Sequence, residues 1–420
     1  MTGDLAAALG RVEHDALEFK SEIVDRNAIR EAICALANDL PERGVGHLVR
    51  GVRDDGTAAG IDVGDRALQP AASVHGHPQL LGGHAAGRSM TTTIAFFNNK
   101  GGVGKTTLAY HLAHMVSRLG HRVLAVDLDP QANLTAAFFD EQRIEQLWGE
   151  EDGTVFGAVE PILRGLGDIK VPAPCEVAED LWIVPGHLEL SRFEDRLSQS
   201  WTQGYDGDEA AIRVTTAFHR MSRQAASVVS ADVVFLDVGP NLGAINRAAL
   251  LASDRVVIPL AADLFSLQGL RNLGPTLRTW RRSWQENTQP KVPVGLDAPT
   301  GAMRPVGYVV LQHAVRLDRP VLAYERWLRR MPAEYRQSVL GTQETAPPAD
   351  EDPYRLASLR NYRSLMPLAQ DARKPMFDLR AADGALGSTG RYVETCEREF
   401  RELARTVLRA TGVETARRPT

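Results

Sequence analysis

At 420 residues the chain has room for one large α/β domain and a smaller companion, and no more than that is needed to account for its length. Hydrophobic residues at 44% and charged residues at 24% are the proportions of an ordinary globular protein, which excludes wholesale disorder. Acidic residues (53) outnumber basic ones (48), excluding a uniformly basic nucleic-acid coat while leaving room for a local basic patch. In chain order, the first elements expected are a strand at LEFKSE (Leu17 to Glu22), a helix at AIREAICALANDLP (Ala28 to Pro41) and a hairpin within LVRGVRDDGTAAGID (Leu48 to Asp62), whose Asp54-Asp55-Gly56 is a strong turn signal. Residues 69–90, QPAASVHGHPQLLGGHAAGRSM, mix Pro, Gly, Ala, Ser and His without sustained periodicity and read as a linker between a segment at 1–68 and a larger domain at 91–415.

That domain opens with TTTIAFFNN, a β-branched and aromatic run expected to be a buried strand, and a glycine-rich turn follows at once. From Lys105 to Leu119 the apolar residues Leu108, Leu112, Met115, Val116 and Leu119 recur at helical steps, with Gly120 placed to end the helix in a left-handed conformation. Short apolar runs follow at Arg122 to Val126, Leu181 to Val184, Val233 to Leu236, Val256 to Leu260 and Val306 to Leu311, mostly separated by helix-length segments. Continuous rather than alternating apolarity suits strands covered on both faces, so a doubly wound, mostly parallel sheet with flanking helices is the expected fold. Gly341 to Pro353 is polar, acidic and Pro-rich, and reads as an exposed loop before C-terminal helices.

The chemistry concentrates between the first strand and its helix, in Asn99-Lys100-Gly101-Gly102-Val103-Gly104-Lys105-Thr106-Thr107. Glycines let successive backbone N–H groups converge on phosphates, and the helix N-terminus adds unpaired donors and a favourable dipole. In a P-loop the position of Lys105 reaches the β- and γ-phosphates and that of the Thr106 hydroxyl ligates Mg²⁺. A glycine-rich turn can also be mere tight packing, but two flanking lysines are not explained that way. Asp127, Asp129 and Asp237 stand at or just beyond strand ends; taken singly they are ordinary strand-end carboxylates, and only beside the phosphate turn do they read as functional. The strict GxxxxGK[ST] pattern is broken, because Asn99 stands where its first glycine belongs.

KGGVGKTT, opening on a lysine, resembles the deviant Walker A motif of the ParA/MinD group of P-loop ATPases. VLAVDLDPQANLT, LWIVPGHLEL, VVFLDVGPNLG and RVVIPLAADLFSLQGL resemble, in the expected order, that group's later motifs, so the resemblance covers Thr91 to about Gly412. It implies a Mg-ATP-binding, ATP-hydrolysing switch that works as a nucleotide-sandwich dimer. Lys100 matches the signature lysine that reaches the partner subunit's phosphates; with Lys105 and Asp129, the match for the carboxylate that positions attacking water, it forms the catalytic set. Lys100, Gly101, Gly102, Val103, Gly104, Lys105, Thr106 and Thr107 would hold ATP. Thr106, Asp127 and the Walker B match Asp237 would stand around Mg²⁺, and Gly239-Pro240 resembles a switch segment that senses the γ-phosphate. Asp263 replaces a glutamate expected in this region and receives no role.

The N-terminal segment resembles the AlbA-like domain of Schlafen-type regulators over about 45 residues, through LEFK, the AxAN helix and a GVxDDGxxxGI hairpin; structural, protein-interaction and nucleic-acid roles stay open for it. The resemblance of the larger domain implies plasmid or chromosome partition, sequence-independent DNA binding, a ParB-like partner that stimulates hydrolysis, and a cytoplasmic, nucleoid-associated location. Arg278, Arg281 and Arg282, Arg326, Arg329 and Arg330, and Arg398, Arg401, Arg405 and Arg409 are the candidate phosphate contacts, against the ordinary alternative of solvated helix faces. Two alternatives remain: a regulatory or phage-defence switch directed by the N-terminal segment, and a MinD-like membrane-surface switch using Glu397 to Ala410 as an amphipathic anchor. The cysteines, Cys34, Cys175 and Cys396, are too widely spaced for a disulfide framework, a CxxC site or an iron–sulfur cluster, which suits a reducing compartment. No leader with a basic start and a long apolar run, and no stretch of 18 apolar residues, is found, so neither export nor membrane spanning is expected.

Overall fold

The computed structural model describes residues 17–20, 47–50 and 91–413, apart from 151, 314, 317, 318, 321, 363, 364 and 386. Two compact units divide the chain, Met1–Arg88 and Ser89–Thr420. In the first, β1 (Leu17–Lys20) and β2 (His47–Arg50) pair in parallel with Leu17 opposite His47, a direction that a direct hairpin between them cannot produce. The helix expected at Ala28 to Pro41, the Asp54-Asp55-Gly56 turn and the linker at 69–90 lie outside the described residues.

The second unit is a doubly wound α/β domain. Its strands are β3 (Thr92–Phe96), β4 (Val123–Asp127), β5 (Cys175–Ala178), β6 (Leu181–Val184), β7 (Val233–Asp237), β8 (Arg255–Ala261) and β9 (Arg304–His313), then the short pair β10 (Val315–Arg316) and β11 (Arg319–Pro320), and β12 (Arg355–Arg360). Eight of them form one sheet in the order β12-β9-β8-β3-β7-β4-β6-β5. All neighbours run parallel except β5 and β6, which pair antiparallel at one edge.

The helices are α1 (Lys105–Arg118), α2 (Asn133–Phe138), α3 (Glu141–Gly149), α4 (Val155–Arg164), α5 (Phe193–Tyr205), α6 (Glu209–Thr215), α7 (Ala217–Val228), α8 (Ala244–Leu251), α9 (Leu264–Ser283), α10 (Leu322–Leu328), α11 (Met331–Glu334), α12 (Leu365–Ala372) and α13 (Ser388–Thr411). They cover both sheet faces, which explains the strands' unbroken apolarity. On β3, Ala95 faces a core shared with α4, α5, α7, α8 and α9, whereas Ile94 and Phe96 face a second core with α1 and α13. On β7, Val234 and Leu236 face the first core, and Val233 and Phe235 the second. Each of the larger of these fully buried side chains, Val, Leu, Ile or Phe, contributes about 1.5–3 kcal/mol relative to an exposed one. α1 begins and ends where the periodicity places it, and Gly120 beyond it takes φ +92°. The apolar side chains of α13, among them Phe400, Leu403, Val407 and Leu408, are spent on the second core. Among the described residues no helix is long and apolar enough to cross a membrane.

Candidate functional site

β3 lies at the centre of the sheet between β7 and β8, so its carboxyl end opens where ligands settle in open α/β sheets. The turn that follows has Gly102 at φ +70° and Gly104 at φ +86°, left-handed conformations in which a side chain would be strained. Gly104 caps α1 without a side chain, leaving the first N–H groups of the helix free to point at an anion. A cleft of about 550 Å³ opens over this turn, lined by Gly101, Gly102, Gly104, Lys105, Thr106 and Thr107 on the floor and by Asp129, Asn133 and Pro240 on one side. Tyr110 and His111 of α1, Ala136 and Ala137 of α2, and Met366, Ala369, Gln370 and Lys374 from α12 and the turn after it complete the wall.

The predicted site residues converge unequally. Lys105 is buried, and burial pulls its ammonium below the ordinary lysine range while the charges of Asp237 and Asp129 push it back up. Asp127 and Asp237 stand opposite each other at the ends of neighbouring β4 and β7, both fully buried. Burial raises both carboxyls well above the usual range. They differ in their partners. One oxygen of Asp127 accepts the backbone N–H (2.8 Å) and the hydroxyl (2.7 Å) of Thr135, the other the N–H of Asp129 (3.3 Å), and the Thr135 hydroxyl in turn accepts the N–H of Gly186 at 2.8 Å. Asp127 thus ties β4 to the start of α2 and the end of β6, and it does not line the cleft.

Asp237 faces the Thr106 hydroxyl, whose proximity holds its carboxyl down somewhat against burial, yet neither of its oxygens makes a hydrogen bond of ordinary geometry. A buried carboxylate with open lone pairs is costly unless something occupies them. Together with Thr106 it offers the hard oxygen donors that a magnesium ion takes, and a divalent cation there would favour the ionised form of a carboxyl that burial otherwise raises. Among the described residues no group of three or more His, Cys, Asp or Glu side chains could hold a metal ion.

Lys100 is held elsewhere. Its ammonium pairs with Asp263, 163 residues away, and lies 5.8 Å from the ring centre of Phe265; it is not among the residues lining the cleft. Asp263 has a second job as the N-cap of α9, accepting the N–H of Ser266 at 2.8 Å. This pairing is the site feature that sequence reading missed, for Asp263 was noticed only as a replacement. Gln370 and Lys374 were missed as well, since nothing local marks a helix so distant in sequence as a wall of the phosphate cleft.

The three arginine clusters are not equivalent. Arg278 donates to the carbonyls of Ser338 (2.5 Å) and Val339 (2.9 Å), and Arg281 to that of Met303 (2.6 Å), so both serve internal packing. Arg329 pairs with Glu325, and Arg326 and Arg330 lie over Trp327. Arg398, Arg401, Arg405 and Arg409 of α13 line, with His121, an open groove of about 640 Å³; Arg401 also pairs with Glu397, and Glu402 lies in the groove.

The AAA domain family model matches residues 91–290, and the Schlafen, AlbA_2 model matches residues 13–77. Over 196 residues the chain is 33% identical to the chromosome-partitioning ATPase Soj of Thermus thermophilus, covering 46% of this chain and 64% of that protein. It carries a ParA-type P-loop ATPase domain. The sporulation initiation inhibitor protein Soj of Bacillus subtilis is similar to the ParA-type domain at 31% identity over 189 residues, 45% of this chain and 66% of the relative. The chain therefore spans less than two thirds of the length of these curated relatives. In three dimensions, the structure of an ATP complex of Cyanothece McdA shares the fold of the ParA-type domain, with a TM-score of 0.53 over 79% of this chain and 100% of the other at 16% identity.

Proposed function

We propose that the chain binds Mg-ATP in the cleft over Gly101 to Thr107 and hydrolyses it as a nucleotide-sandwich dimer that switches between two states. The observation that carries this reading is the buried, unpaired carboxylate of Asp237 facing Thr106 at the foot of a glycine-lined phosphate cleft. Bound magnesium would supply charge neutralisation across the phosphates. Backbone N–H groups of the turn and the N-terminus of α1 hold the phosphates, Lys105 reaches the terminal ones, and Thr106 and Asp237 would hold the ion. Asp129, on the cleft wall, orients the attacking water. Asp127 acts through its hydrogen bonds, fixing the turn that carries Asp129. Lys100 leaves Asp263 and reaches the phosphates of a second copy, where a further cation stabilises charge on the transferring group. The neighbouring cleft of about 380 Å³, which shares Gly104, Thr107 and Met366 with the first and is lined by Leu311, Tyr362 and Phe400, has the apolar walls an adenine ring needs.

The dimer would serve plasmid or chromosome partition in the cytoplasm, on the nucleoid, binding DNA without sequence preference and reset by a ParB-like partner. The groove of α13 supports the DNA contact, because the first cluster has Arg278 and Arg281 committed to internal hydrogen bonds and the second is stacked on Trp327 or paired. The Schlafen, AlbA_2 match favours a second reading, in which the N-terminal segment directs the same ATP switch to regulation or phage defence. A membrane-surface role finds less support, since the apolar side chains of α13 already pack in the core. Duplex DNA of arbitrary sequence tests the first reading: retention that requires ATP and weakens with salt supports it, and ATP-independent or absent retention contradicts it.

A further inference from the structure

The loop from β7 to α8, residues 238–243, reaches the cleft through Pro240. Behind it stands Asn246, in the first turn of α8 and 1% exposed. Its amide nitrogen donates to the carbonyls of Gly239 (3.0 Å) and Asn241 (2.8 Å) and lies 2.9 Å from the side-chain oxygen of Asn241. Three oxygens around one NH₂ group fix the orientation of the amide, because the flipped form would set Oδ1 against all three. Oδ1 itself is buried without a hydrogen-bond partner, so the carboxamide is committed to the loop at the expense of its own acceptor. Gly239 lies between this amide and the cleft wall: a Cβ there would sit 3.4 Å from Asp129 Oδ1 and 3.5 Å from Asn246 Nδ2.

The start of α8 is anchored independently. Both oxygens of Glu194, from the first turn of α5, accept its leading N–H groups, those of Ala244 (2.5 Å) and Ile245 (2.8 Å). Loss of the Asn246 amide would therefore free the loop without unravelling the helix.

We propose that Asn246 is a positioning residue: its carboxamide holds the Gly239 to Asn241 loop in place beside Asp129, and the chain distinguishes ATP from ADP through the loop so held. This rests on the assignment of the cleft to Mg-ATP. Asn246→Asp replaces the donor amide with an acceptor facing three oxygens and expels the loop from this position; Asn246→Ala removes the donors without adding repulsion.

The test uses the full chain with either variant, following hydrogen exchange without nucleotide and the calorimetric affinities for MgATP and MgADP. Both variants are expected to speed exchange in residues 239–243 at least tenfold while α1 and β7 keep their protection. The ratio of ATP to ADP affinity should fall at least fivefold, with ADP affinity held within twofold, and more in Asn246→Asp than in Asn246→Ala. General destabilisation would weaken both nucleotides together and leave the ratio unmoved. Unchanged loop exchange, or an unchanged ratio in variants of a nucleotide-binding wild type, overturns the role of Asn246 alone. A wild-type chain that binds neither nucleotide overturns the Mg-ATP assignment and the discrimination with it.

Discussion

Replacing Asp263 with asparagine separates its two jobs. Asparagine caps a helix as well as aspartate does, so the bond to the Ser266 N–H survives, while the ion pair with Lys100 is lost. The two side chains are 28% and 35% exposed, a setting in which such a pair is worth about 0.2–1 kcal/mol. At about 1.4 kcal/mol per tenfold, releasing one lysine makes it roughly 1.4 to 5 times more available. A dimer that uses one lysine from each copy should then assemble roughly 2 to 30 times more readily in ATP, while the thermal midpoint falls by no more than about 2–4 °C. Sedimentation velocity across an ATP titration measures the first quantity and calorimetric melting the second. Unchanged or weaker assembly by a folded Asp263→Asn chain would show that Asp263 does not restrain Lys100.

Lys105→Ala should weaken nucleotide binding at least a hundredfold in calorimetry, and retained affinity would contradict its placement on the phosphates. Asp129→Ala should bind ATP normally yet stay dimeric on size-exclusion chromatography; a monomer in ATP refutes the water-orienting role. His111 is buried between the Thr107 carbonyl (2.7 Å from Nδ1) and the Met376 N–H (3.0 Å from Nε2), and burial pushes it from 6.5 down to about 4. A base with a lowered folded pKa takes up its proton on unfolding, so its contribution is complete above pH about 6.5 and is lost as the pH falls towards about 4. His111→Leu should flatten this acid limb by up to about 1.4 kcal/mol per pH unit, read from urea midpoints between about pH 7 and 5; an unchanged slope contradicts it. Arg398→Glu with Arg405→Glu should reduce DNA affinity and lower the salt slope by about two, and an unaltered slope would move the DNA contact away from α13.

The strands that were legible in the sequence are those buried on both faces: β3, β4, β6, β7, β8 and β9 all lie under continuous apolar runs. β12 and β5 were not, because each is an outer strand of the sheet: β12 buries only Leu356 and Leu359, and β5 buries no residue fully. RLASLR begins and ends on arginine and looks no different from a polar loop. The phosphate turn was readable as chemistry because glycine, lysine and threonine have to stand close together in sequence to do their work. What brings Lys100 to Asp263, or Gln370 and Lys374 to the cleft, is the crossing of distant chain segments, which leaves no local pattern. Asp127 illustrates the same limit from the other side. Its place at a strand end was visible, but its three hydrogen bonds depend on Thr135 and Asp129 turning back onto it.

Isothermal titration of the wild-type chain with ATP and magnesium tests the central claim most directly. Saturable binding of one nucleotide per chain, weakened when magnesium is chelated, is the predicted result. Absence of binding in folded protein would contradict the assignment of the glycine-lined cleft to Mg-ATP.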